Sequence, residues 1–275
     1  MILSTPLSIK DFEGSELNHT YGKLPSFNGT FFIKTMKILI PLPNKDFDLT
    51  EVSVPWHIFK SKGYEVVFAT ENGAQGTVDP LLITGVLFGQ LGAKPKAIKI
   101  FRVLEKTPEF TNPIKYEEIN VADYKLLHLP GGHAKGMRQY LESKALQMVV
   151  LEFYTANKII GAICHGSIVL ARTKNPETGK SIVYNRTVTG LIKRLEKIAY
   201  YITAWKLGDY YRTYPEYTED EISSSLKDKS QFQRGSLNAK KPFVCIDENI
   251  VTARWPEDAY LYGETLVKKL EERFG

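Results

Sequence analysis

Apolar positions along this chain come in two kinds, short continuous runs and longer stretches with a helical repeat. Met36 to Leu42, MKILIPL, is a run of the first kind and reads as a central strand. Pro43 to Asp48 is rich in turn formers, and Leu49 to Lys62 then reads as a helix closed by Gly63. Tyr64 to Thr70 is a second strand, so strand, helix and strand predict a parallel pair with a right-handed crossover. The glycine-rich stretch 71–96 reads as loop with one short helix, and Ile98 to Val103 as a further strand. Tyr124 to Leu129 is a strand that runs into Pro130-Gly131-Gly132-His133. From Met137 to Ala156 a helix is expected, because Leu146, Val149, Val150 and Phe153 fall at i, i+3, i+4 and i+7.

Lys158 to Arg172, KIIGAICHGSIVLAR, is the stretch on which the rest is organised. Ile159, Ile160, Ala162 and Ile163 read as a buried strand, and Ile168 to Ala171 as the first turns of a buried helix. Beyond it, Ser181 to Gly190 is expected as a strand and Leu191 to Trp205 as a helix. Thr218-Glu219-Asp220-Glu221 has the pattern of a capping box before Ile222 and Leu226. Pro242 to Ile246 and Ile250 to Ala253 read as a hairpin around Asp247-Glu248-Asn249. A closing helix spans Asp258 to Arg273, with Tyr262, Leu266, Leu270 and Phe274 on one face. Alternating strands and helices make this an α/β chain, with active residues expected at the carboxyl ends of the strands.

Residues 1–35 show no clear period and read as an N-terminal extension ahead of one α/β domain, 36–275, with Met36 as an alternative start. Within that domain 207–241 reads as an inserted, charged, cap-like segment. The tyrosines 200, 201, 210, 211, 214 and 217 either pack over the sheet or form an aromatic lid.

Composition narrows the function classes. With 43% hydrophobic and 24% charged residues the chain is an ordinary globular one, and its +5 charge is spread without a dense basic block, which argues against nucleic acid. No apolar run is long enough to span a bilayer, and the first residues lack a secretory pattern. Two cysteines, Cys164 and Cys245, provide no disulfide framework and fit a reducing cytoplasm. With neither CxxC nor HExxH, no metal site is expected.

The chemistry concentrates at three strand ends. Cys164 sits where a strand turns into a helix, the setting of a nucleophile elbow, with small neighbours at Ala162 and Gly166. A helix N-terminus favours thiolate over thiol, so the catalytic reading outweighs that of a structural buried cysteine. Glu51 at the start of the first helix and the Gly131-Gly132-His133 loop complete a nucleophile, a carboxyl group and main-chain donors for an oxyanion. Taken singly, Glu51 would only complement a helix dipole and Gly-Gly would only be a tight turn. His57 and His128 read as ordinary core or surface histidines.

On these residues the chain resembles the ThiJ/PfpI superfamily, and within it the chaperone and glyoxalase III branch related to class I glutamine amidotransferases. The resemblance begins near Met36 and rests on DFDLTEVSVPW (46–56), GYEVVFATENG (63–73), LPGGHAKGM (129–137), AICHGS (162–167), VTGLIKRLE (188–196) and ENIVTARWPEDA (248–259). It implies a flavodoxin-like three-layer α/β sandwich with a mostly parallel sheet. It also implies Cys164 as nucleophile, His165 as catalytic histidine, and Glu51 as the acid bonded to the sulfur. Gly132 and His165 would supply the oxyanion-hole N–H groups. Counting from Thr189-Gly190, Glu196 would be the acid that orients His165; its alternative is a surface pair with Lys193 or Lys197. His133 is a candidate for the substrate pocket, as is Arg254, which either binds a substrate anion or makes a structural ion pair. Ala134 stands where many relatives have glycine and Ser167 where proline is common, so the pocket's shape departs from theirs.

The activity implied is that of a cofactor-free cysteine enzyme on small reactive carbonyls, a glyoxalase III-like conversion of methylglyoxal to lactate or a deglycase-type reaction. It needs a thiol of lowered pKa and a protonated Glu51. Two alternatives stand beside it: a stress holdase for unfolded clients with an oxidation-sensing cysteine, and a Cys-His-Glu hydrolase acting through an open groove. The family also implies a homodimer.

Overall fold

The computed structural model describes residues 35–86, 92–236, 238 and 241–275. The expected extension 1–35 lies, apart from Thr35, outside the described residues.

Among the described residues nine strands form in chain order: β1 (Lys37–Pro41), β2 (Lys45–Phe47), β3 (Glu65–Thr70), β4 (Thr77–Val78), β5 (Ile114–Lys115), β6 (Tyr124–Leu129), β7 (Ile159–Ile163), β8 (Val244–Asp247) and β9 (Ile250–Ala253). Seven build one sheet in the order β5-β3-β1-β6-β7-β9-β8, while β2 and β4 pair separately. Every pair in the large sheet is parallel except the β8–β9 hairpin at its edge. Helices Leu49–Ser61, Pro95–Leu104 and Ala259–Phe274 pack together as one group, and Lys144–Thr155, Gly166–Arg172 and Thr218–Ser224 as another. This is the flavodoxin-like sandwich. Strand β7 is buried at all five positions, as expected where helices cover both faces of a parallel sheet.

Some elements differ from the sequence reading. Ile98 to Val103 is not a strand but the centre of helix Pro95–Leu104. Pro95 starts it, and Ala97, Phe101 and Leu104 bury one face at a helical spacing that a short apolar run conceals. The long helix expected over 137–156 is broken, because Ser143 leaves helical geometry and caps Lys144–Thr155 through its side chain on the N–H of Leu146. Ser181 to Gly190 forms no strand and makes only isolated bridges at Ser181 and Val188. The position beside β7 that it would fill is taken by β9.

Thr218 does not act as a capping-box residue either. It lies inside its helix, and its N–H is bonded at 3.0 Å by the carboxylate of Glu196. In return, Glu219 accepts at 2.9 Å from the N–H of Lys193 at the start of helix Lys193–Leu207. Each helix is thus capped by a carboxylate of the other, which satisfies orphan amide groups and complements both dipoles.

Glu51 is held by an unusual local arrangement. Asp48 caps helix Leu49–Ser61 by accepting from the N–H groups of Thr50 at 2.7 Å and Glu51 at 3.2 Å. Pro55, inside that helix, has no N–H to give the carbonyl of Glu51. Nε2 of the buried His128 supplies the missing donor at 2.8 Å, and its Nδ1 accepts from the Tyr262 hydroxyl at 2.9 Å. His128 is therefore a core histidine that ties the first helix and the last to β6.

Candidate active site

β7 delivers Cys164 at φ 58°, in the left-handed region where a non-glycine residue is strained. The strand's end is held by the Cys164 N–H on the Ala253 carbonyl at 3.0 Å, and helix Gly166–Arg172 follows at once. The turn is so tight that a Cβ on Gly166 would lie 2.2 Å from the carbonyl oxygen of Leu129. Gly131 is constrained equally: a Cβ there would come within 2.9 Å of Glu51 Oε2 and 3.0 Å of Cys164 Cβ. The two strand-end loops and the first helix therefore close on one another around the thiol.

Glu51 is fully buried. Its Oε2 accepts from the Gly131 N–H at 2.8 Å, and Oε1 makes no hydrogen bond of ordinary length among the described residues. Burial, and then the neighbouring Asp48, push this carboxyl well above the usual range, and the Cys164 thiol is the side-chain group that acts against that rise. That shift favours the protonated carboxyl beside the sulfur.

The expected lowering of the thiol's pKa meets surroundings that act the other way. Cys164 has no solvent exposure. Burial first, and then Glu51 and Asp48, push its pKa well up, against the opposing effect of the His165 main-chain N–H. Loss of solvation and two acidic neighbours disfavour the thiolate. Two acids in one dry site resist carrying two negative charges at once, and burial favours the neutral form of each.

His165 Nδ1 lies 3.6 Å from Cys164 Sγ. Burial, with His133, Arg212 and Arg172 adding to it, lowers the ring's pKa well below 6.5, so the imidazole is neutral. Its other nitrogen, Nε2, lies 3.3 Å from the hydroxyl of Thr213, which donates its own proton to the carbonyl of His133 at 2.6 Å. A hydroxyl has one proton, so Thr213 can only accept from Nε2–H. The network therefore assigns the proton to Nε2 and turns the Nδ1 lone pair toward the sulfur. Arg138 Nε fixes the segment by donating to the Thr213 carbonyl at 2.6 Å.

Glu196, the acid expected on His165, is not brought to it. It is buried, but its oxygens go to Arg212 at 3.3 Å and to the Thr218 N–H at 3.0 Å. Arg254 is not in a pocket: it has no exposure, its Nε and NH2 both reach Asp258, and it also donates to the carbonyls of Arg234 and Lys241. Asp258 and the two carbonyls hold the fully buried guanidinium in a structural role, away from any substrate. Gly132 follows Gly131 but packs against the Asp46 carbonyl and Met137, and its N–H has no acceptor among the described residues.

His133 stacks edge-on against His165 with ring centroids 5.1 Å apart, and Tyr211 packs edge-on against His133 at 5.8 Å. His133 and Tyr211 also line a largely apolar cavity of about 530 Å³, with Asp48, Leu191, Ile198 and Trp255 among its other walls. Burial lowers the pKa of His133 to about 4, so it too is neutral. Of the tyrosine-rich run, Tyr211 touches the site, Tyr210 donates to Asp79 and Tyr214 to Glu142. Thr213 was missed by the sequence reading, since an isolated threonine in a loop carries no signal. Asp48, directly before an apolar helix, could have been read as an N-cap.

An elbow cysteine at the carboxyl edge of a parallel sheet, paired with a neutral imidazole, places the chain among the α/β proteins with a thiol elbow. It matches the family described as ThiJ/PfpI family-like over residues 42–261, and it belongs to that family. The chain is 32% identical over 160 residues to the glutathione-independent glyoxalase hsp3102 of Schizosaccharomyces pombe, a match covering 56% of this chain and 63% of that protein. With Glyoxalase 3 of Candida albicans it shares 24% identity, over 90% of this chain and 96% of that one. The crystal structure of glyoxalase III from Candida albicans superposes with a TM-score of 0.64 at 22% identity, over 85% of this chain and 96% of that one. Among the described residues no helix is long and apolar enough to cross a membrane.

Proposed function

We propose that the chain is a cofactor-independent thiol enzyme acting on small 2-oxoaldehydes, of the glyoxalase III type. The observation that carries this reading is the Cys164 thiol, strained at the elbow, 3.6 Å from Nδ1 of His165 and beside the buried Glu51. The names of the relatives support the substrate class.

In this reading the Cys164 sulfur adds to the aldehyde carbon of methylglyoxal and passes its proton to His165 Nδ1. The carbonyl oxygen takes up a proton from Glu51, which leaves a hemithioacetal. The Glu51 carboxylate removes the C1 proton while protonated His165 gives its proton to the C2 oxygen, which yields an enediol. Glu51 then delivers its proton to C2 and takes the C1 hydroxyl proton, which yields a thioester of the hydroxy acid. Water then cleaves the thioester to lactate and the free thiol. The sum is one aldehyde and one water to one hydroxy acid, with no oxidant or cofactor. Gly132 and His165 N–H groups would hold the developing oxyanion. A neutral thiol suits this role, since proton transfer to imidazole can accompany addition. A peptide hydrolase is disfavoured because the sulfur is enclosed rather than set in an open groove.

The test is turnover of methylglyoxal to lactate by Cys164→Ala, with folding checked by circular dichroism. Abolished turnover in a folded variant is expected; full turnover would overturn the reading.

A further inference from the structure

We propose that His133, Cys164 and His165 form a transition-metal site that takes a thiophilic divalent cation, above all Zn²⁺. One donor atom from each of the three residues lies within 4.8 Å of the others. Sγ of Cys164 and Nδ1 of His165 are already 3.6 Å apart. A tetrahedral zinc ion, with Zn–S of about 2.3 Å and Zn–N of about 2.0–2.1 Å, sets those two atoms roughly 3.5 Å apart. That pair needs almost no movement, and only the His133 ring has to close in.

The donors are also presented correctly. Thr213 holds the proton of His165 on Nε2, which leaves Nδ1 as a lone pair. A ligating histidine that gives its other N–H to a fixed acceptor is the usual outer arrangement of a metal site. The ring nitrogens of His133 have no hydrogen-bond partner among the described residues. Two imidazoles and a thiol, without a carboxylate, favour zinc or copper over magnesium or calcium. Three protein ligands leave a fourth position for water, and His133 lines the cavity through which ion and water can enter.

Binding exchanges one proton for one cation. The thiol proton leaves to solvent, the sulfur becomes a thiolate ligand, and both imidazoles stay neutral. The site itself does not depend on the glyoxalase reading. Its consequence does: a thiolate committed to metal cannot add to an aldehyde, so metal would inhibit reversibly.

The test titrates the reduced full chain with Co²⁺ under anaerobic conditions, then displaces it with Zn²⁺. One equivalent is expected, with a thiolate-to-cobalt charge-transfer band and the strong visible bands of four-coordinate cobalt. Cys164→Ser should lose the charge-transfer band, and Cys245→Ser should keep it. His133→Ala should weaken binding by about tenfold or more. Absence of a charge-transfer band in the unmodified protein would overturn the site, as would a band that survives Cys164→Ser. Unchanged affinity in folded His133→Ala would do the same. Because the readout is spectroscopic, it stands whatever methylglyoxal turnover shows.

Discussion

The hydroxyl of Thr213 accepts from His165 Nε2 at 3.3 Å and donates to the His133 carbonyl at 2.6 Å, so one loop threonine sets the tautomer of the histidine beside the thiol. Acidic residues commonly occupy that place in thiol and serine triads, where they also stabilise the imidazolium. Here a neutral group does it, which fits an imidazole kept neutral by burial. Thr213→Val should lower kcat by about tenfold to a hundredfold. Thr213→Ser should restore it. Steady-state kinetics across pH would check this, since a purely structural loss would also fail in Ser. Unchanged kcat in folded Thr213→Val would remove Thr213 from the site.

Glu196 gives a contrasting expectation. Its carboxylate caps helix Thr218–Ser224 and pairs with Arg212, away from the imidazole. Glu196→Ala should cost about 1–2 kcal/mol of stability, the size of a lost cap. Glu196→Gln, which can still accept, should retain turnover. Denaturant melts and kcat measured together decide it. A hundredfold loss of kcat in a fully folded Gln variant would put Glu196 back on His165.

His128 should prove structural. Replacing it with Leu leaves the Glu51 carbonyl, already deprived by Pro55, and the Tyr262 hydroxyl both buried and unpaired. The expected loss is about 2–4 kcal/mol, read from urea unfolding.

Asp48 predicts a pH dependence. Burial, the largest cause, raises its pKa from an ordinary 3.8 to about 6 even though it accepts from the Thr50 and Glu51 N–H groups. A carboxyl raised on folding binds more protons in the folded state. Its contribution to stability is therefore full below about pH 4 and is lost as pH rises through 6. Asp48→Asn keeps an N-cap acceptor and removes the buried charge. It should flatten the stability profile between pH 4 and 6 and raise stability at pH 7 relative to the parent. A profile unchanged by the substitution would show that Asp48 titrates normally.

Much of the architecture was legible because it is local. The strands β1, β3, β6 and β7 announce themselves as apolar runs, and the elbow by a cysteine between a strand and a helix with small residues about it. The errors arose where a short apolar run fits either period, as at Ile98 to Val103, or where a strand needs a vacant place in the sheet, as at Ser181 to Gly190. Glu196 lay in the right stretch of sequence, but which acceptor meets His165 depends on the loop that carries Thr213, 48 residues from that histidine.

Taken alone, the chain determined the central strands β1, β3, β6 and β7, the elbow and the nearness of Cys164 to His165, since periodicity and adjacency are written residue by residue. Only the tertiary structure decided the burial that shifts Glu51, Cys164 and His165 toward their neutral forms, the partners of the nitrogens of His128 and His165, and the gathering of His133 with the thiol. Those depend on what water is excluded and which distant loops meet, and no local pattern of side chains encodes either.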